Sequence, residues 1–535
     1  MLRGVSRGCF AVLALLAQPM FAEADAGTGA PRALTQQGPV EGEASGTVLA
    51  FRGIPYAAPP VGEQRFRAPQ PPAKREGVLS ALDMGPACPQ LIDADLTENN
   101  HAMMAEDCLS LNVWTPGTDT RKRPVMVWIH GGAYVVGSVR NTGYDGARLA
   151  ARGDVVVVSI NYRLGAWGFL ALADHGSAYE GSANAGLLDQ IAALRWVKQN
   201  ISAFGGDPGN VTIFGESAGA SSAGALLSMP QAAGLFARAI LQSGLPSNQT
   251  PQAYPRSKRL AAEFLTLLGA TSPGEIEGRS MQDLLDAQDA LFTSHSDLGT
   301  FGPVVDGITL KEPPFTVVSE GRGNRVPLLV GTTGEEMRYF TSVYDIGLER
   351  KPRALMQEQL KAAAGPRATE VLATYEKLYP DWGDVAVQIA SDAFLRLPSI
   401  LLAEAVTGFQ PVYMYLFSYR STSSYKRFGS MHSIEIPFVF GTVDLPEVIA
   451  YLGRSPHRAE LSARTMDHWV AFARQGNPAL PGGLQWPLYD AQSRQTMELG
   501  PESRLVSDPL GEQRRAWGEQ LPSKDSAWQL LQKNH

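Results

Sequence analysis

Hydrophobic residues along this chain form short unbroken runs that alternate with segments of helical periodicity. The runs at residues 124–129, 154–160, 211–214 and 238–242 are apolar or β-branched almost throughout. Unbroken runs of this length, bounded by turn residues, are typical of strands buried on both faces of a parallel sheet. Residues 187–200 repeat apolar side chains at intervals of three and four, which predicts a helix between two of these strands.

The same pattern continues along the rest of the chain. Strands are predicted at residues 326–330 and 411–419, and residues 38–50 resemble an antiparallel hairpin, with turn residues between short apolar pieces. Residues 251–300 and 341–410 are predicted to be helical insertions that cover a functional site. Because strands alternate with helices, we predict an α/β fold whose large, mostly parallel sheet carries helices on both faces.

Composition limits the class of protein. The chain has 535 residues, and no repeat, charge block or Pro/Ser-rich linker divides it, so we predict that residues 25–535 form a single domain. A hydrophobic fraction of 44% and a charged fraction of 19% are typical of soluble globular proteins. A net charge of −7 without a basic cluster argues against nucleic acid as a partner.

Residues 1–24 have the features of a secretory signal peptide. Arg3 and Arg7 provide a basic start, residues 10–16 form a short apolar core, and residues 22–24 (Ala-Glu-Ala) offer a cleavage site. The apolar run is too short to span a bilayer, and no later stretch resembles a membrane span. We therefore expect an exported protein, secreted or periplasmic, from a bacterium.

The three cysteines agree with export. Cys9 lies in the signal peptide, which leaves Cys88 and Cys108 as an even pair. In an exported chain such a pair predicts one disulfide bond, and the alternative is two buried free thiols.

Residues 211–220 contain the strongest chemical signal in the chain. A four-residue apolar strand leads into Gly-Glu-Ser-Ala-Gly at residues 215–219, and small residues follow it, as in a tightly packed helix. This is the G-x-S-x-G pattern of a nucleophile elbow, in which the serine sits on a sharp strand-to-helix turn. Ser217 is therefore the candidate nucleophile, and a chance match to a loose pattern is the alternative.

A serine nucleophile needs hydrogen-bond donors for the oxyanion that forms during acyl transfer. Residues 130–133 (His-Gly-Gly-Ala) follow a predicted strand, as oxyanion loops of the HGGG type do. We predict the backbone N–H groups of Gly132, Ala133 and Ala218 as donors, with an ordinary glycine turn as the alternative. His130 is better explained as a residue that orients this loop.

The general base and its carboxylate partner should follow the serine, the carboxylate first. Four histidines qualify by position, and His432, in a loop after a predicted strand, is the candidate base. His457 lies in a polar turn and His468 in a helix, while His535 ends the chain. The acid is expected after the strand at residues 326–330.

Two adjacent carboxylates follow that strand, Glu335 and Glu336, and local physics does not choose between them. Asp306 is a third candidate, but its surroundings are more typical of a strand that ends in a turn.

With these motifs the chain resembles the type-B carboxylesterase family, which includes the cholinesterases and bacterial p-nitrobenzyl esterases. The resemblance extends from about residue 38 to the C-terminal region. It is carried by residues 51–67, 106–112, 186–190, 204–208, 214–220 and 434–441.

The resemblance implies the α/β-hydrolase fold and a Ser-His-Glu triad. The sequence contains no metal-ligand cluster or nucleotide-binding loop, so no metal or other cofactor is predicted. The resemblance favours Glu336 as the acid, with Met337 in place of the usual glycine, and it agrees with His432 as the base. It also implies supporting polar roles for Glu216 and Ser243. Ala133 replaces a common third glycine, which is compatible with a backbone donor.

Departures from the family pattern bear on the substrate, a small-molecule ester. Residues 89–107 contain no Trp, Tyr or Phe, so a quaternary ammonium would lack a cation–π partner there, and choline esters are disfavoured. The same segment is short and polar, which disfavours the flap of a lipase. Residues 247–250 and 298–301 are poor in aromatic residues, which favours a roomy acyl side, and Tyr339 and Phe340 are candidates to line the gorge.

We therefore predict a serine carboxylesterase that acts on small to medium esters through an acyl-enzyme. The alternatives are a lipase or sterol esterase, and a specialised amidase or hydrolase of xenobiotic or toxin esters. A more remote one is an adhesion module that has lost catalysis.

Overall fold

A computed structural model describes residues 30–91, 103–244, 252–295, 300–425, 427–518, 527 and 529–531. The signal peptide, His535 and residues 247–250 lie outside this part of the chain, as do most of the segment between the two cysteines and residues 298–299.

An eleven-stranded mixed sheet forms the centre of the molecule. Its strands, in chain order, are Glu43–Ser45 (β1), Val48–Pro55 (β2), Ser110–Thr115 (β3), Arg123–Ile129 (β4), Val156–Ile160 (β5), Gly206–Glu216 (β6), Arg238–Gln242 (β7), Leu328–Thr333 (β8), Val412–Phe417 (β9), Gln495–Leu499 (β10) and Arg504–Ser507 (β11). Their order across the sheet is β11-β10-β9-β8-β7-β6-β4-β5-β3-β2-β1. The strands from β10 to β5 in this order run parallel, and antiparallel strands complete both edges.

Helices cover both faces of the sheet. The α-helices are Ala147–Gly153, Gly165–Phe169, Ala185–Asn200, Ala218–Ser228, Tyr254–Leu267, Met281–His295, Pro314–Ser319, Arg338–Val343, Arg353–Ala364, Ala368–Leu378, Trp382–Ser391, Leu397–Val406, Ile436–Phe440, Pro446–Leu452, Arg458–Gln475 and Gly511–Trp517. The predicted parallel α/β architecture and the two helical insertions are thus confirmed.

Strand β4 shows why the central runs are apolar without interruption. Successive side chains of a strand point to opposite faces of the sheet. Val125, Val127 and Ile129 pack into the core on one face, whereas Met126 and Trp128 pack into the core on the other. All seven residues of the strand are buried, so the strand does not alternate between buried apolar and exposed polar residues.

The predicted N-terminal hairpin at residues 38–50 is only partly correct. Residues Glu43–Ser45 and Val48–Pro55 pair antiparallel at the edge of the central sheet. Residues Gly38–Glu41 pair instead with Arg32–Thr35 in a separate three-stranded sheet. The chain changes sheets at Gly42, where a Cβ atom would lie 2.3 Å from a carbonyl oxygen of β2, so this close approach requires glycine.

Cys88 and Cys108 form the predicted disulfide bond, with their Cα atoms 5.1 Å apart. In the described part of the chain, a single helical stretch, Trp382–Val406, is long and apolar enough to cross a membrane by length and composition. The structure buries 83% of its most apolar window, as expected for a core helix.

Candidate active site

The candidate residues all follow parallel strands at one edge of the sheet. The loop at residues 130–133 follows β4, Ser217 follows β6, Ser243 follows β7, Glu336 lies beyond β8, and His432 lies beyond β9. The carboxyl ends of parallel strands meet at the same edge, where ligand sites of open α/β sheets form.

Ser217 occupies a strained turn between β6 and the helix Ala218–Ser228. Its φ and ψ angles are 56° and −123°, a conformation that non-glycine residues adopt only under constraint. Glycines at both ends of the turn allow this geometry. A Cβ atom on Gly219 would lie 2.0 Å from the Ile129 carbonyl oxygen, and one on Gly215 would lie 2.6 Å from that same oxygen.

The loop after β4 lies against this serine. Gly132 and Ala133 both have positive φ angles, and a Cβ atom on Gly131 would lie 3.1 Å from the Cβ of Ser217. Within the described residues, the backbone N–H groups of Gly132, Ala133 and Ala218 donate to no other protein group. Unpaired donors beside a nucleophile are what an oxyanion site requires.

His130, the first residue of this loop, is buried and makes two contacts that hold its ring in place. Its ring stacks on Tyr162 at a centroid distance of 4.5 Å, and its Nδ1 lies 2.8 Å from the carbonyl oxygen of Gly131. Burial lowers the pKa of His130 to about 4, so its imidazole is neutral at ordinary pH. These contacts fit the predicted role of orienting the loop.

Glu336 and His432 are hydrogen-bonded to each other. The Nδ1 of His432 lies 2.6 Å from the Oε2 of Glu336. The Oε1 of Glu336 accepts from the N–H of Thr333 and from the Oγ of Ser243, each at 2.7 Å. Ser243 therefore contacts the candidate acid directly, and the Glu336 carboxylate is hydrogen-bonded at both oxygens.

The structure separates the two adjacent glutamates that local sequence could not distinguish. Whereas Glu336 faces His432, the Glu335 side chain binds Arg338, Arg420 and the backbone of Ser430.

The other ring nitrogen of His432 lies beside a second carboxylate. Its Nε2 is 3.0 Å from the Oε1 of Glu216, which also accepts from the Oγ of Ser433 at 2.6 Å. No hydrogen bond between Ser217 Oγ and His432 is found among the described residues. The imidazole thus lies between two carboxylates, one of which belongs to the residue immediately before Ser217.

These two carboxylates govern the charge of His432. Burial alone would lower the pKa of His432, but the charge of Glu216 and the hydrogen bond to Glu336 outweigh it and raise the pKa to about 9.

A third carboxylate, which sequence reasoning missed, lies in the same buried cluster. Glu435 is fully buried, and its Oε1 accepts from the Nε2 of Gln242 at 3.1 Å. Burial and the charges of Glu216 and Glu336 raise the pKa of Glu435 to about 8, which keeps this carboxyl protonated near neutral pH. The only signal in the sequence was the position of this acidic residue in the otherwise apolar segment 434–441. Nothing in that segment accounts for a charged side chain.

Two aromatic rings lie beside the imidazole of His432. The ring of Phe340 lies 5.6 Å from the imidazole and that of Tyr339 lies 6.2 Å from it, measured between centroids. Both residues belong to the helix Arg338–Val343, which begins two residues after Glu336.

The residues considered as alternatives for the acid and the base have other surroundings in the structure. Asp306 accepts three backbone N–H groups of its own turn, as expected. His457 is exposed before the helix Arg458–Gln475, and His468 is buried in that helix with its Nδ1 2.7 Å from the carbonyl oxygen of Pro478. Across the described residues, no group of three or more His, Cys, Asp or Glu side chains could hold a metal ion.

The sheet order, the serine at the turn after β6 and the loops at the carboxyl edge define an α/β-hydrolase fold. Residues 29–517 match the model of the carboxylesterase family, and the chain belongs to that family. It is a carboxylesterase, as its motifs predicted.

Similar proteins cover nearly the whole chain. The para-nitrobenzyl esterase of Bacillus subtilis (strain 168) is 40% identical over 499 residues, which are 92% of this chain and 98% of that protein. An acetylcholinesterase of Bungarus fasciatus is 35% identical and covers 91% of this chain and 86% of its own length. The solved structure of a thermophilic PNB esterase superimposes with a TM-score of 0.81 at 38% identity, covering 91% of this chain and 99% of that one.

Proposed function

We propose that this carboxylesterase uses a triad in which Ser217 is the nucleophile, His432 the general base and Glu336 the orienting carboxylate. The observation that carries the proposal is the 2.6 Å hydrogen bond between Glu336 and His432, whose Nε2 lies 3.0 Å from the carboxylate of Glu216, the residue before Ser217. A buried carboxylate bound to Nδ1 leaves Nε2 as the nitrogen that exchanges a proton with the serine.

The reaction proceeds in two halves. Ser217 Oγ attacks the ester carbonyl while His432 Nε2 accepts its proton, and the same imidazolium then protonates the leaving alcohol. A water molecule, deprotonated by His432, hydrolyses the acyl-enzyme and releases the acid. The N–H groups of Gly132, Ala133 and Ala218 bind the oxyanion in both halves.

The first proton transfer requires the imidazole to exchange one partner for another. In the resting arrangement Nε2 faces Glu216, so the ring or the serine must shift until Nε2 meets Ser217 Oγ. Contacts of this kind commonly tighten only when substrate is bound.

We propose uncharged small to medium esters as substrates, including those with aromatic alcohols. Since His432 protonates the leaving alcohol, the rings of Tyr339 and Phe340 would contact that part of the substrate. The match to a para-nitrobenzyl esterase supports this choice. Residues 89–107 lack aromatic residues, which disfavours choline esters, and they lack the apolar character of a lipase flap.

We further propose that the protein is exported and that residues 1–24 are removed. The disulfide between Cys88 and Cys108 supports this proposal, because such bonds persist in oxidising compartments. N-terminal sequencing of the secreted or periplasmic product would test it, and an intact Met1 on an intracellular product would refute it.

The triad is tested by hydrolysis of p-nitrophenyl esters from acetate to laurate. Ser217→Ala should lower kcat by about 10⁴-fold or more, while Ser228→Ala, at the far end of the same helix, should keep wild-type turnover. Retention of most activity by Ser217→Ala would overturn the proposal. A rate maximum at long chains that appears only above the micellar limit would favour a lipase instead.

Active-site labelling distinguishes the remaining alternative. A fluorophosphonate should label the wild-type protein at Ser217 even if none of the esters is its natural substrate. A folded protein that neither turns over esters nor reacts with this probe would point to a scaffold without catalysis.

A further inference from the structure

The loops that carry the acid and the base are joined to each other outside the triad. The acid loop (residues 334–337) and the base loop (residues 429–433) pair through the Glu335 N–H, which donates to the Ser430 carbonyl oxygen at 2.8 Å. The His432 N–H approaches the Glu336 carbonyl oxygen at 3.3 Å. The distance between the acid and the base therefore depends on this loop-to-loop contact.

The Glu335 side chain is a charged group of the acid loop that binds the backbone of the base loop. Its Oε2 accepts from the backbone N–H of Ser430 at 2.8 Å and contacts the Nη1 of Arg420 at 2.5 Å. Its Oε1 accepts from the Nη2 of Arg338 at 3.0 Å. The residue is 3% exposed, so water does not replace these partners when one is lost.

The base loop lies directly on this carboxylate. Gly429 has a φ angle of +57°, and a Cβ atom there would lie 2.3 Å from the Oε2 of Glu335. The glycine thus allows the backbone to approach the carboxylate closely enough for the next N–H to bind it.

Arg338 connects the acid loop to a neighbouring helix. Its guanidinium is completely buried and pairs with Glu335, Glu349 and Asp384. Asp384 belongs to the helix Trp382–Ser391 and also binds Arg427, which lies just before the base loop. The Glu335 carboxylate is therefore held by the guanidinium groups of Arg338 and Arg420, which lie outside the two loops, as well as by the backbone of Ser430 in the base loop.

We propose that Glu335 is a positioning residue that sets the geometry between Glu336 and His432. The inference rests on the proposed triad. All three groups that approach the carboxylate are donors, so only an anionic side chain with two acceptor oxygens satisfies them. An amide at this position would turn its NH₂ group towards one of these donors and push a loop away.

The sensitivity of catalysis to such a shift is large. Displacing a catalytic group by about 1 Å can lower the rate by about 100-fold. Because Glu335 touches no substrate, its loss should lower kcat and leave KM nearly unchanged. A weaker contact between Glu336 and His432 should also move the rising limb of the pH profile to lower pH.

Glu335→Gln is the test, with Glu349→Gln as the matched control. Both variants remove a carboxylate partner of Arg338, and only the first removes the contact with Ser430. Glu335→Gln should lower kcat by about 10- to 100-fold with KM within about twofold, whereas Glu349→Gln should stay within about twofold in both. Thermal unfolding measured alongside reports whether the two variants lose similar stability.

A folded Glu335→Gln enzyme with wild-type kcat and pH profile would overturn the inference, as would equal losses of kcat in both variants. If Glu335→Gln does not fold, Glu335→Asp replaces it: the charge remains, but the shorter side chain reaches one loop only, and a reduced kcat is again expected. Ser217→Ala separates the two proposals. If Ser217→Ala remains active, the triad itself is wrong; if only the Glu335 variants remain active, the triad stands and the positioning role fails.

Discussion

Replacing Glu216 by Gln removes one of the two charges that hold His432 as imidazolium. General base catalysis requires neutral imidazole, so kcat/KM rises with pH through the pKa of His432 and levels off above it. In the wild-type protein this rise should be centred well above the ordinary histidine value, because the pKa is raised to about 9. Glu216→Gln should shift the rise to lower pH.

The size of the shift follows from the contact between Glu216 and His432. Raising the pKa from 6.5 to about 9 corresponds to about 3 kcal/mol in favour of imidazolium. A unit charge about 4 Å away contributes about 4 kcal/mol at an effective dielectric constant of about 20, and burial opposes it. Glu336 still holds Nδ1 in the variant, so we expect the midpoint to fall by about 1 to 3 pH units.

The assay is kcat/KM for p-nitrophenyl acetate between about pH 5 and 10, with the uncatalysed rate subtracted. Ser433→Ala is the matched control, because it removes the hydroxyl that donates to Glu216 but keeps the charge. Its midpoint should remain at or above that of the wild type. A Glu216→Gln midpoint equal to the wild-type value would refute the argument, whatever happens to the maximal rate.

Three further predictions concern stability. Asp189→Asn breaks a buried ion pair with Arg163 whose atoms are 2.7 Å apart, and should lower the free energy of unfolding by about 3 to 5 kcal/mol in urea titration. Replacing Cys88 and Cys108 by Ser removes the disulfide bond, which closes a loop with a sequence separation of 20. The free energy of unfolding should fall by about 3 kcal/mol, and reductant should no longer affect the stability of the variant. Gly219→Ala places a Cβ atom 2.0 Å from a strand carbonyl oxygen, so we expect a lower Tm and loss of fluorophosphonate labelling; an unchanged Tm would contradict the packing argument.

The fold was predictable because its signals are local. The central strands β4 and β5 are buried on every residue and largely apolar, since both faces of the sheet are covered, and the apolar runs are visible in the sequence alone. The elbow is equally local, because the positive φ angle of Ser217 and the close approach at Gly219 demand small residues at fixed spacing. The ends of the elements were predicted less accurately. Strand β6 extends from Gly206 to Glu216, well beyond the apolar run at residues 211–214.

The distribution of charge within the site was not predictable from local sequence. Glu335 and Glu336 are adjacent and chemically identical, and only the turn after β8 decides which of them meets His432. Glu435 lies in an apolar segment, and its proximity to Glu216 arises from packing between loops that are distant in the chain. A sequence pattern names the residue types of a site, but it does not specify which buried carboxyl keeps its proton.

The charges around His432 stabilise its imidazolium form, in the resting enzyme below about pH 9 as well as in the proposed intermediate. In the proposed mechanism, the imidazolium that forms when Ser217 transfers its proton is flanked by Glu216 and Glu336, so the positive charge appears where two negative charges already lie. Such fixed charges need no rearrangement at the moment of reaction. Below about pH 8 Glu435 is mostly protonated, so it adds no third negative charge to this cluster.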